Sequence, residues 1–326
     1  MFDSRNRSGK KVKGVVEIGV NYLFHLLATA RINFDSEYAD KYGESVRPED
    51  TSFLRDHREQ LSFGGGSGGE LIDILLLPAS FGMQSRDEFR EYYSLLLRGC
   101  DRDDFAEFLN RYASPLEKLR QWAGSADNAS LREYVPFRGD IARLGEIVAG
   151  NYDAYIGEVW PQELHDLEQA AAMVTETYAR FDRIGQWEDI TGLTFKFDTY
   201  LILMSSAIAN GPNANSLGYD RVVFYSDTPT DKMIDFISHE IGTHIFMDDI
   251  KSIRDSGKFS WQELYEGFEC LAQFYNTLIL GRRDLHYSVN FHVDEHMKIY
   301  NELYRPQIAV REMLEKGIER YLASSG

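Results

Sequence analysis

Six consecutive residues stand out for the chemistry they can do: His239, Glu240, Ile241, Gly242, Thr243 and His244. Two imidazoles and a carboxylate are donors that suit zinc. A carboxylate beside a ligand can also take a proton from metal-bound water, whose pKa the ion lowers to about 7. The common helical zinc motif spaces its histidines four apart, about 40° around a helix of 3.6 residues per turn, so both rings reach one ion. Here they are five apart, about 140° on a regular helix. The spacing therefore requires the turn around Gly242 to be widened by a π-bulge or broken, which a glycine makes easier. Glu240 then falls beside the ion without binding it, placed to act as general base.

A third ligand is expected from the next element. Residues 261–280 read as an apolar helix carrying Glu263, Glu266 and Glu269, three apart and loosely on one face. Glu266 is the expected ligand, because Gly267 beside it allows two helices to approach closely. Asp248, one turn past His244, stays open as a partner for a ligand histidine, as a replacement third ligand, or as an acid with no role. Two histidines and a glutamate around Zn2+, with the fourth position open, form a catalytic arrangement rather than a structural one. Tyr265, His286, His292 and His296 are the candidates to stabilise an oxyanion, and His292 with His296 also has the spacing for a second metal. For a substrate's terminal carboxylate, Arg221, Arg254, Arg282 and Arg283 are at hand, and nothing selects among them. The plain alternative is a helix that happens to carry two histidines. Against it, Ile234, Phe236, Ile237, Ile241 and Ile245 mark the helix as buried, and a buried helix must satisfy its polar side chains.

The stretch His239-Glu240-Ile241-Gly242-Thr243-His244, followed by Glu266-Gly267-Phe268-Glu269-Cys270-Leu271-Ala272, resembles the HExxxH metallopeptidases of the tyrosine carboxypeptidase family. The HEIGTH letters agree throughout. The family's EGLA is approximated, with Phe268 and Glu269 standing where the family has Leu-Ala. The likeness covers residues 239–272. It implies a zincin-like peptidase domain in which His239, His244 and Glu266 hold zinc and Glu240 is the base; tyrosine specificity is not carried over.

Elements must position these groups. Residues 1–14 read as a disordered start. Residues 15–184 read as a mainly helical region, opening with a helix over 15–32 that is apolar all round. Ser85 is an expected N-cap, Gly99 an expected stop, and Pro161 sits in the first turn of a later helix. The glycine-rich stretch 63–69 reads as a hinge, a linker or a phosphate nest before a helix near Glu70, but it lacks GxxxxGK[ST] and reads foremost as a loop. After Gly185 the texture changes. Residues 192–206 and 220–227 read as strands, with a loop of Gly, Asn and Ser between them, and a helix capped by Thr230 or Asp231 then carries the histidines. Residues 200–206, with the loop to Tyr219, are the candidate edge for pairing with an extended peptide. The fold class expected is thus α+β: a helical N-terminal region, then a zincin-like catalytic domain over 185–326 with a small sheet and an active-site helix.

The bulk numbers agree with this picture. At 326 residues and 43% hydrophobic content the chain supports one large core or two smaller ones. A net charge of −17 argues against nucleic acid and anionic membranes as partners. Two cysteines, Cys100 and Cys270, make a disulfide framework unlooked-for. The start lacks a signal's apolar core and no run of about 18 apolar residues occurs, so a cytoplasmic location is expected. The function expected is zinc-dependent hydrolysis of a peptide or protein substrate. The alternatives are a zincin-fold scaffold without turnover and a hydrolase of non-peptide amides.

Overall fold

Strands are few and helices many in the computed structural model, which describes residues 8–64, 67–122, 127–211, 214–283, 292–306 and 308–325. The class is α+β, with one four-stranded mixed sheet built from β1 (Lys11–Val15), β2 (Thr199–Ser205), β3 (Ala214–Gly218) and β4 (Arg221–Tyr225), in the order β1-β2-β4-β3. β2 reads Thr-Tyr-Leu-Ile-Leu-Met-Ser and is buried along most of its length, as a strand flanked on both sides must be. It runs parallel to β4, with Leu201 opposite Arg221 and Ser205 opposite Tyr225. β3 is antiparallel to β4 and slips register between Ser216 and Gly218.

Three expectations change here. Residues 214–218 belong to the segment read as a loop, yet they form β3; pairing with the apolar β4 outweighs the weak strand propensity of Ala-Asn-Ser-Leu-Gly. Lys11–Val15 overlaps the start read as disordered, yet it forms β1, with Val12 and Gly14 turned inward and Lys11 and Lys13 outward. Since β1 and β4 flank β2, residues 200–206 have no open edge for a peptide; within the candidate stretch to Tyr219 only β3 is an edge, the other edge of the sheet being β1.

The chain divides into two units that are discontinuous in sequence, where the sequence reading places one junction at 184/185. One unit takes residues 14–173 and 201–227. Its helix Ile18–Thr29 is buried from Gly19 to Thr29, as an all-apolar helix should be. Tyr22 packs there against Phe89, Tyr152 and Tyr155. Ser85 caps the helix Arg86–Arg102 in a capping box with Glu88. Gly99 does not stop that helix. It leaves room for Phe105, whose ring would lie 2.3 Å from an added Cβ, and Asp103 with φ 52° ends the helix instead. The glycine-rich stretch closes as a short hairpin, Phe63 opposite Gly68, and a helix begins at Glu70.

The other unit takes residues 1–13, 174–200 and 228–326. It contains α1 (Arg183–Thr191), α2 (Thr230–Ile245), α3 (Met247–Ser256), α4 (Trp261–Leu280), α5 (Val293–Leu303) and α6 (Val310–Ser325). Its separate segments are tied by buried and half-buried polar contacts. Asp182 caps α1 by accepting from Gly185 N at 3.1 Å, and it also accepts from Ser8 N and Oγ at 2.9 and 2.7 Å. Tyr178 donates to the Ile234 carbonyl at 3.0 Å. No described helix is long and apolar enough to cross a membrane.

Candidate functional site

α2 carries the HEIGTH residues, and its course corrects the first expectation. The turn at Gly242 is neither widened nor broken: the helix is α-helical from Thr230 to Ile245, and Phe246 N donates to the Gly242 carbonyl at 3.2 Å, the ordinary i→i−4 bond. Among the described residues the one π turn lies at Tyr155–Val159, just before Pro161, whose ring an ordinary turn would crowd. Gly242 serves packing instead. A Cβ there would sit 2.3 Å from Cη2 of the fully buried Trp187, which α1 lays across α2 and anchors by donating from Nε1 to Ser238 Oγ at 3.3 Å.

On a regular helix the Cα atoms of His239 and His244 stand about 9 Å apart. With the two imidazoles about 140° apart around a regular helix, the condition that their five-residue spacing set for one shared ion is not met in this structure. In the structure each ring has its own carboxylate. His239 Nε2 lies 2.8 Å from Oε2 of Glu269, and His244 Nε2 lies 3.9 Å from Oε2 of Glu240, one helical turn away. Tyr200, at the start of β2, sets its hydroxyl 3.5 Å from His244 Nε2 and its ring edge-on to the imidazole. The imidazoles are enclosed, at 6% exposure for His239 and none for His244, whereas the Glu240 and Glu269 side chains are 16% and 17% exposed. A ligand would therefore meet the carboxylates first.

Charge explains the remaining features. Burial pushes the Glu240 carboxyl up to about 7, and the neighbouring Glu269 charge adds to that, while His239 opposes it. Burial by itself lowers His239, but the hydrogen bond and charge of Glu269 carry it above its ordinary value. Burial also raises Tyr265, helped by the charges of Glu269 and Glu240, so this phenol stays protonated and faces the same cluster.

Of the glutamates of α4, Glu269 rather than Glu266 is the one that contacts His239. α4 turns Glu269, Gln273 and Asn276 towards α2, where Asn276 donates to the Asp235 carbonyl at 3.0 Å. Glu266, on another face, accepts from His292 N at 2.9 Å and so caps α5. Gly267 makes room not for α2 but for α6: an added Cβ would lie 2.5 Å from Ile318. The signal for Glu269 was present in the sequence, as a polar stripe with Gln273 and Asn276 at i, i+4 and i+7 of α4.

The other candidates disperse. His292 and His296 gather around Glu266, with His296 stacked on Tyr321 at 4.2 Å and its pKa lowered by burial. His286 lies outside the described residues. Asp248 pairs with Lys196 at 2.6 Å. Arg282 is held by the buried Asp235, Arg254 pairs with Asp255, and Arg221 belongs to the other unit, where it bonds Glu17.

Compared with known proteins, the chain matches no family model, no curated protein and no solved structure.

The donor set fits a metal in kind: two imidazoles and two carboxylates on adjoining helices. The 2.8 Å between His239 Nε2 and Glu269 Oε2 is close to the roughly 3.3 Å between two ligands of one tetrahedral zinc. The pairs stand side by side rather than around one point. Among the described residues, no three His, Cys, Asp or Glu side chains form a ready-made cage.

Proposed function

We propose that this cluster is the catalytic centre of a metal-dependent amide hydrolase, of zincin-like architecture, acting on peptides. The observation that supports the reading is the contact of His239 with Glu269 beside the Glu240–His244 pair, two histidines and two carboxylates on α2 and α4. His239, His244 and Glu269 would hold zinc, which when bound would acidify a water and polarise the amide carbonyl. Glu240, held near 7 by its surroundings, accepts the water's proton and returns it to the departing amine. Tyr265, kept neutral, donates to the oxygen that gains charge.

Metal analysis of protein purified without a histidine tag, together with a peptide-library cleavage screen, tests the reading. Glu240→Gln should keep zinc and lower kcat by about 10²–10⁴-fold. No zinc, with His239→Ala changing nothing, defeats it. The regular turn at Gly242 and the side-by-side pairing favour a second reading, a scaffold that keeps the architecture without turnover. In that case Glu240→Gln costs no function, because none depends on a base.

A further inference from the structure

We propose that Glu266, His292 and His296 form a separate cation site, for a divalent ion of the zinc, cobalt or nickel kind, that fastens α5 onto α4. It shares no residue with the proposed centre and does not rest on that reading. His296 is 1% exposed, and both of its ring nitrogens are enclosed and make no hydrogen bond. Buried polar atoms are normally paired, so an imidazole left in this way asks for a partner. Nε2 lies 3.7 Å from Oε1 of Glu266. That is too far for a hydrogen bond, but close to the roughly 3.3 Å between two ligands of one tetrahedral zinc. Burial lowers the pKa of His296, which keeps the ring in the neutral form that ligates.

The fold holds these donors in place without an ion. Tyr321 of α6 stacks on the His296 ring at 4.2 Å, with 27° between the planes. Tyr300, one turn further along α5, donates to the Gly267 carbonyl at 2.9 Å and so ties α5 to α4 beside Glu266. The third donor, His292, precedes His296 by four residues, the spacing that sets two imidazoles on one side of a helix. Both rings meet Tyr321, that of His292 at 5.8 Å, so they do lie on one side of α5. The backbone N of His292 donates to Glu266 Oε1 at 2.9 Å, which keeps the two residues together. Among the described residues no three such side chains already form a cage. Glu266 and His296 are the pair in place, and rotation of the exposed His292 side chain completes the set. Two imidazoles and one carboxylate suit ions of the zinc kind rather than Mg2+ or Ca2+, which take oxygen ligands.

The test counts zinc bound at equilibrium dialysis by full-length protein without a histidine tag. The variants are His239→Ala, which removes the proposed centre, and that change combined with His296→Gln or with His292→Ala. His239→Ala should still bind one zinc. Adding His296→Gln should weaken that binding at least about 100-fold, and adding His292→Ala should weaken it about 10–100-fold. Zinc binding by His239→Ala that His296→Gln leaves unchanged overturns the inference. So does a single zinc lost with His239→Ala alone, an outcome that spares the proposed function. A single zinc kept by His239→Ala and lost on adding His296→Gln supports this site and defeats the other. A protein that takes up no zinc defeats both. Should His296→Gln fail to fold, the exposed position decides: undiminished zinc binding in His239→Ala with His292→Ala overturns the inference.

Discussion

Two glutamates three residues apart have opposite surroundings, and their substitution separates a functional role from a structural one. Glu269 touches His239 from the face of α4 that meets α2, and Glu266 caps α5 from another face. Glu269→Gln keeps volume but loses the charge that complements a cation and raises His239. It should weaken zinc binding by at least about 100-fold, since even partners outside the ligand set are worth 10–100-fold. Its thermal stability should hold, because a buried negative charge near Glu240 is relieved. Glu266→Ala should do the reverse: near-wild-type zinc affinity at the α2 centre, with a loss of about 1 kcal/mol as an N-terminal donor of α5 loses its acceptor. Zinc titration and urea unfolding of both variants check this. Matching profiles for the two would refute the assignment.

At the scale of the element, Gly242 sets helix preference against packing. Alanine in place of glycine inside a helix is favoured by about 1 kcal/mol. The added Cβ would sit 2.3 Å from Trp187, and overpacking of that kind costs about 1–3 kcal/mol. Packing should win, so Gly242→Ala is expected to lower stability. In a Trp187→Phe background the same change should become neutral or stabilising, and a double-mutant cycle by urea unfolding reads the coupling directly. An α2 that gains stability from alanine with Trp187 present would show that the indole has room to move.

This contest also explains what the sequence made legible. The buried helix with its histidines and the Ser85 cap follow from local chemistry, whereas the strand read over 192–206 forms only at Thr199–Ser205 and Pro229, not Thr230 or Asp231, precedes the helix. The purpose of Gly242, Gly267 and Gly99 was not legible, because in each case the missing side chain answers to a residue distant in the chain or on another helix: Trp187, Ile318 or Phe105. Glu269 was passed over for a related reason. Spacing along α4 shows which residues share a face, but not which face meets α2. β3 escaped notice because its partner, rather than its own composition, makes it a strand.

The whole molecule places its candidate centre in a unit drawn from three stretches of chain, and that arrangement bears on any attempt to isolate it. A fragment of residues 185–326 contains every proposed ligand and the base. It lacks Tyr178, whose hydroxyl holds the Ile234 carbonyl of α2, and Asp182, which caps α1 and anchors Ser8. It also lacks Lys10, which bonds Glu188 and donates to the Phe195 carbonyl at 2.5 Å, and it loses strand β1. Without its cap and its first residues α1 is a short helix, below the roughly 12–15 residues at which helices persist alone, so the footing of Trp187 on Gly242 goes with it. The fragment is therefore expected to unfold without a cooperative urea transition and to bind zinc at least about 100-fold more weakly than the full chain. A fragment that melts cooperatively and keeps the full chain's affinity would show that residues 185–326 are sufficient, and that the ties from Ser8, Lys10 and Tyr178 are dispensable.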